Sequence, residues 1–173
     1  MFDKFGELDS FEELNRMAKA QRAEKDEEAL MILAEENGLD KEDAEDFFDG
    51  VFDELTNAKL AAIGKLKVEC KEYDIKGVLQ DWVDEIIADL NEDEALAIGI
   101  RKKGKDLGQL IADMAEYGFQ HRFTVSKKIV DKTKEIKKIV GNHEFSIGFP
   151  DRVTRRKMVK DFYCKEGDKH DLF

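Results

Sequence analysis

Residues 75–90, IKGVLQDWVDEIIADL, decide the fold. Ile75, Val78, Leu79, Trp82, Val83, Ile86, Ile87 and Leu90 recur at three- and four-residue steps, with Asp81, Asp84, Glu85 and Asp89 filling the gaps. That is the period of an amphipathic α-helix, because about 3.6 residues per turn bring those positions onto one face. Trp82 is the expected core anchor of this helix. The same period extends both ways along the chain.

Upstream, Ser10 followed by Glu13 forms a capping-box pattern, and Phe11, Leu14, Met17 and Ala18 predict a helix over about 10–24. Asp26 opens a second helix carrying Leu30, Met31, Leu33 and Ala34, which Gly38 ends. Asp40 caps a third, in which Ala44, Phe47, Phe48, Val51, Phe52 and Leu55 form one stripe and Gly50 is the point of division. Leu60 to Cys70 continue the pattern, and KEYDIKG at 71–77 reads as a connection and the internal boundary. Downstream, Asn91 with Glu94 predicts a short helix ending in RKKGK at 101–105, and Leu107 to Phe119 form the next. Ser126 is expected to cap a lysine-rich helix to about Val140. NHEFSIGFP at 142–150 reads as a loop with little strand, Asp151 caps a last helix to about Cys164, and KEGDKHDLF is an expected mobile tail. The fold class is therefore all-α: a multi-helix bundle, as one or two helical subdomains, with at most a minor strand pair near 143–149. The expected division is 1–72, an acidic helical subdomain, and 73–173, a helical subdomain with basic C-terminal helices.

The net charge of −11 hides a polarised chain. Residues 1–100 carry 29 acidic and 11 basic side chains, a balance of −18, whereas residues 101–173 carry 18 basic and 11 acidic, a balance of +7. Charge segregated in this way speaks of partners and association rate rather than of fold. Two cysteines, Cys70 and Cys164, make no disulfide framework and no CxxC pair, which fits a reducing interior. The acidic start MFDKFGELDS is unlike a secretory leader, and no apolar run reaches membrane-spanning length. A cytoplasmic protein without a membrane association is expected.

Catalytic and cofactor signatures are absent. The chain has no GxSxG, no phosphate-binding GxxxxGK[ST] and no GxGxxG, and His121, His143 and His170 lack ligand spacing. Asp89, Asn91 and Asp93 match the first positions of a calcium loop, but Glu94 replaces its glycine and Ile100 its final acid, so a helix start explains them better. No enzyme activity, cofactor or metal is expected. A metal-dependent nuclease is a third, unsupported reading.

Two charged groups are the candidate sites. Glu42, Asp43, Glu45, Asp46, Asp49, Asp53 and Glu54 form the densest acidic set, suited to a cationic nucleic-acid channel on a partner protein. A second acidic set runs from Asp84 to Glu94. Lys127, Lys128, Lys132, Lys134, Lys137 and Lys138, with Arg152, Arg155, Arg156, Lys157 and Lys160, form basic stripes able to neutralise phosphates, dock an acidic protein surface or pair with the chain's own acids. Arg101, Lys102, Lys103 and Lys105 cluster at a helix end, where cations complement the helix dipole.

MFDKFGELDSFEELNRMAKAQ at 1–21, LAEENGLDKEDAEDFFDG at 33–50, AAIGKLKVE at 61–69, KGKDLGQLIADMAEYGF at 103–119 and GFPDRVTRRKMVKDFY at 148–163 resemble small acidic proteins carried by phages and conjugative elements of gut Firmicutes. The last two segments also have a looser similarity to the PcfK-like proteins of conjugative elements. The likeness covers most of the chain, and it implies an anti-CRISPR inhibitor of a type II effector nuclease. The expected partner is that nuclease or its guide-RNA ribonucleoprotein, with contact to RNA or DNA. It transfers no catalytic residue. A helical nucleic-acid-binding regulator of a mobile element is the alternative.

Overall fold

A computed structural model describes residues 2–165. Their helices in chain order are α1 (Phe11–Glu24), α2 (Glu27–Glu36), α3 (Lys41–Phe48), α4 (Ala58–Glu72), α5 (Val78–Asp89), α6 (Glu94–Arg101) and α7 (Leu107–Gln120). Strand β1 (Phe123–Thr124), helices α8 (Lys127–Val130) and α9 (Glu135–Val140), strand β2 (Ser146–Ile147) and α10 (Arg152–Cys164) follow. The protein is all-α with one small antiparallel ribbon, as the periodicity predicts. The expected tail and His170 fall mostly outside the described residues.

Acidic residues build many of the helix starts. The side chains of Asp26, Asp40, Asp93, Asp106 and Asp151 each accept a backbone N–H of the first turn, at 2.8–3.0 Å. Ser10 and Asn57 do the same for α1 and α4. Each such bond satisfies a donor that the helix itself leaves orphaned and is worth about 1 kcal/mol.

Three sequence expectations need correction. The third segment is not helical on to Leu55 but is divided at Gly50 as read: the helix stops at Phe48, and the N–H of Val51 returns to the Asp46 carbonyl at 2.9 Å around Gly50, whose φ of 83° is the left-handed turn that ends helices. Asn91 does not cap α6; its amide closes α5 on the Ala88 carbonyl, and Asp93 is the cap. The lysine-rich helix is broken into α8 and α9, and Ser126 makes no capping bond. There Thr133 donates to the Val130 carbonyl at 2.8 Å and accepts the Lys137 N–H at 3.2 Å, replacing helical bonds with side-chain ones. The expected minor strand pair is present: β2 lies within 143–149 and its partner is β1, placing Phe123 opposite Ile147 and Thr124 opposite Ser146.

Two apolar cores organise the molecule. Leu8, Leu14, Ala18, Leu30, Leu33, Ala44, Phe47 and Leu55 form the first, between α1, α2 and α3. Ala62, Leu66, Trp82, Val83, Leu96, Ile100, Leu110, Met114 and Val159 belong to the second, between α4, α5, α6, α7 and α10. Trp82 is indeed buried there. The change of core falls between Leu55 and Ala58, so α4 packs with the helices that follow it, whereas the sequence boundary stands at 72.

The cores meet at two glycines. A side chain on Gly64 of α4 would lie 2.2 Å from the Asn37 carbonyl oxygen, and one on Gly38 would lie 2.3 Å from that of Gly64. Only glycine permits this backbone contact. A strap over residues 2–9 adds to the junction: the N–H groups of Asp3, Lys4 and Phe5 converge on the Glu36 carboxylate. Farther along, Glu7 accepts from Lys65 at 2.7 Å and from the Gly104 N–H, and Asp9 accepts from the Lys103 N–H.

Candidate partner-binding surfaces

The acidic set sits on a supported face. Ala44 and Phe47 point into the first core, which turns Glu42, Asp43, Glu45 and Asp49 outward, with Asp46 half-buried. Arg22 of α1 donates to the Phe47 and Phe52 carbonyls at 2.9 and 3.0 Å and lies 4.2 Å over the Phe47 ring, fixing the chain beyond α3. Asn15 and Thr56 fasten its far end by reciprocal bonds of 2.9 and 3.0 Å. Between these anchors, Val51 and Phe52 are exposed beside Asp49, Asp53 and Glu54. Glu54 pairs with Lys19, and Glu45 is 4.0 Å from Lys41. Glu42, Asp43, Asp46, Asp49 and Asp53 have no ion-pair partner among the described residues.

The basic stripe divides into two parts with different fates. On α10, Arg152, Arg156 and Lys160 reach Glu85, Asp89 and Asp93 at 3.5, 2.5 and 2.9 Å. Both series advance by four residues, one helical turn, and this makes an in-register ladder. Arg155 lies inside it, bonding Glu85 at 2.7 Å and the Pro150 carbonyl at 3.0 Å while covering the Trp82 ring at 5.3 Å. The bond from Lys160 holds the Asp93 carboxyl below its usual range. Of the α10 candidates only Lys157 lacks a partner among the described residues. The ladder and cap also occupy the residues of the calcium-loop pattern: Asp89 and Asp93 hold cations, and Asn91 accepts from Lys59 at 2.6 Å.

Comparison with family models, curated proteins and solved structures returns no match. Surface chemistry therefore carries the functional reading.

The second part of the stripe is open to solvent. Residues 121–149 leave the bundle after α7 and return before α10, closed by the β1–β2 ribbon and by the Val125 N–H on the Phe145 carbonyl at 2.7 Å. Lys137 pairs with Asp131 at 3.2 Å. Lys127, Lys128, Lys132, Lys134 and Lys138 are exposed and have no ion-pair partner among the described residues. Phe119, placed with the apolar residues of α7 by its spacing, is exposed as well, as are Phe123 and Phe149.

Interior charges were not legible as such. Arg101 belongs by sequence to a basic helix end, yet it is fully buried and donates to Asn37 at 2.5 Å. Lys65 is equally buried, bonding Glu7 and the Lys102 carbonyl. Glu69 lies 3.9 Å from Lys65, and burial pushes its carboxyl up to about 7. The one available signal is that Lys65 and Glu69 interrupt the apolar run of α4. Among the described residues no group of three or more His, Cys, Asp or Glu is placed to hold a metal ion, and no helix is long and apolar enough to cross a membrane.

Proposed function

We propose that the chain is a non-catalytic inhibitor that docks its α3 face on a cationic surface of a type II CRISPR effector nuclease, or of its guide-RNA complex, and blocks DNA binding or cleavage. The observation that carries this reading is the acidic face of Glu42, Asp43, Asp46, Asp49 and Asp53, without ion-pair partners among the described residues, beside exposed Val51 and Phe52. Carboxylates around an apolar tip give a protein partner both fast electrostatic encounter and area to bury. Effector nucleases of this type hold a heteroduplex in a positively charged channel, a surface of the required sign. The resemblance to mobile-element proteins supports the choice of partner.

Pull-down of the effector with and without guide RNA, followed by a DNA cleavage assay, tests it. Wild type binds and inhibits; joint neutralisation of those five carboxylates to Asn or Gln abolishes both and leaves the thermal melt unchanged. Inhibition that survives neutralisation, or an effector that is not captured, removes the reading. The alternative, a helical regulator binding duplex DNA, keeps only part of its expected surface, because Arg152, Arg155, Arg156 and Lys160 face the chain's own acids. Its favouring observation is the set of exposed lysines over 127–138, five of which have no ion-pair partner among the described residues. Steeply salt-dependent duplex binding without effector capture would select it.

A further inference from the structure

We infer that the 121–149 excursion is a binding surface for single-stranded nucleic acid, separate from the α3 face. It carries seven Lys and Arg side chains against three acids. Five of those lysines are exposed without an ion-pair partner among the described residues, in contrast to the neutralised Arg152, Arg155, Arg156 and Lys160 of α10. Phosphates are the ligand class that such point charges recognise without fixed geometry.

The aromatic residues at its base narrow the class. Phe119, Phe123 and Phe149 are each more than 60 % exposed, an unusual concentration on so short a segment. The Arg122 guanidinium lies 4.5 Å over the Phe119 ring and is held by the Phe119 carbonyl at 2.8 Å. Phe149 meets Trp82 edge-on, with ring centroids 6.4 Å apart, so its position is fixed from below. Phe123 is opposite Ile147 on the ribbon, and Phe149 follows two residues later. Solvent-exposed rings at the base of a segment that carries exposed lysines suit unpaired bases, which offer a π-face to stack while their phosphates reach the lysines. A duplex keeps those faces inside its stack. An anionic membrane fits less well: α8 and α9 have four and six residues, too short for a continuous apolar face.

Fluorescence anisotropy with a labelled oligothymidylate of about 20 nucleotides, its RNA counterpart and a duplex of equal length tests this on the full chain. Both single strands bind more tightly than duplex, with a negative salt slope between about 50 and 200 mM. Lys127→Gln, Lys128→Gln, Lys132→Gln, Lys134→Gln and Lys138→Gln together lower affinity more than tenfold and reduce the magnitude of the slope by about 3. Phe119→Ala with Phe123→Ala lowers affinity about tenfold at an unchanged slope; Phe149 is left in place because it packs on Trp82. Circular dichroism verifies that both variants keep their fold. Neutralising the α3 carboxylates does not weaken oligonucleotide binding, so this inference and the inhibitor reading fail separately. Absence of single-strand binding, equal affinity for duplex, or phenylalanine variants that bind like wild type overturns the inference. So does lysine-dependent binding to anionic vesicles or self-association in place of oligonucleotide binding.

Discussion

Glu69 is 2 % exposed, with Lys65 at 3.9 Å and the Leu107 N–H at 3.3 Å as its nearest charge and donor. Desolvation outweighs that cation, and Asp106 and Glu7 add repulsion, so its folded pKa of about 7 exceeds the unfolded value. The folded state then keeps a proton that the unfolded chain releases above about pH 4.5, and stability falls as pH rises from there to about 7. The full effect is about 3 kcal/mol. Urea midpoints measured across that window should show the fall, and Glu69→Gln should flatten it. Lys65→Met leaves the Glu7 and Glu69 carboxylates without their buried cation and is expected to cost about 3 kcal/mol by chemical denaturation. Adding Glu69→Gln should recover part of that loss, because the carboxylate made most costly by the first change is then gone. Beyond the break that Lys65 and Glu69 make in the apolar run of α4, none of this was readable from residue types. Lys65 and Arg101 look like surface cations in a chain with 29 Lys and Arg, and their burial depends on Glu7 and Asn37, which the fold brings from 58 and 64 residues away.

Local rules served the helices well wherever both ends were marked by local chemistry. Ser10, Asp26, Asp40 and Asp151 each cap the helix they announce. Failures came where two local devices compete. Asn91 and Asp93 are both capable caps, and Thr133 offers side-chain bonds inside a run whose lysines at 128 and 132, and at 134 and 138, repel at helical spacing. Pairing of the α10 cations with the chain's own acids was one option in the sequence, but the ladder from α10 to α5 and the α6 cap was not readable, since nothing local gives a register offset of 67 residues. Its members differ in worth. Arg152, Arg156 and Lys160 are about half exposed or more, so their joint replacement by Ala is expected to lower stability only slightly in a urea melt, more in low salt than in high. Arg155 is 16 % exposed and satisfies Glu85, Pro150 and the face of Trp82 together. Arg155→Ala is expected to cost about 2 kcal/mol, measured by thermal or urea melts, with little dependence on salt.

At the scale of the molecule, the polarity of charge seen in the sequence is partly internal. Glu85, Asp89 and Asp93 take up four of the cations of α10, while the α3 face and the 121–149 excursion are open surfaces of opposite sign. Their relation depends on the junction of the cores. Gly64→Ala places a methyl group against the Asn37 carbonyl and is expected to cost about 2 kcal/mol or more, visible as a lower melting temperature and greater protease sensitivity near 38 and 64. The sequence marks Gly38 as a helix stop but gives no sign that Gly64 must meet it. The strap has a consequence for synthesis. Leu8 to Leu55 can complete their core early, whereas Glu7 meets Lys65 58 residues and the Gly104 N–H 97 residues after itself. Gly104 follows Leu55 by 49 residues, which at roughly 5–20 residues per second is a delay of roughly 2–10 s on the ribosome. Through that interval the nascent first core carries a latch whose last bonds, to the turn at 102–104, are still unmade.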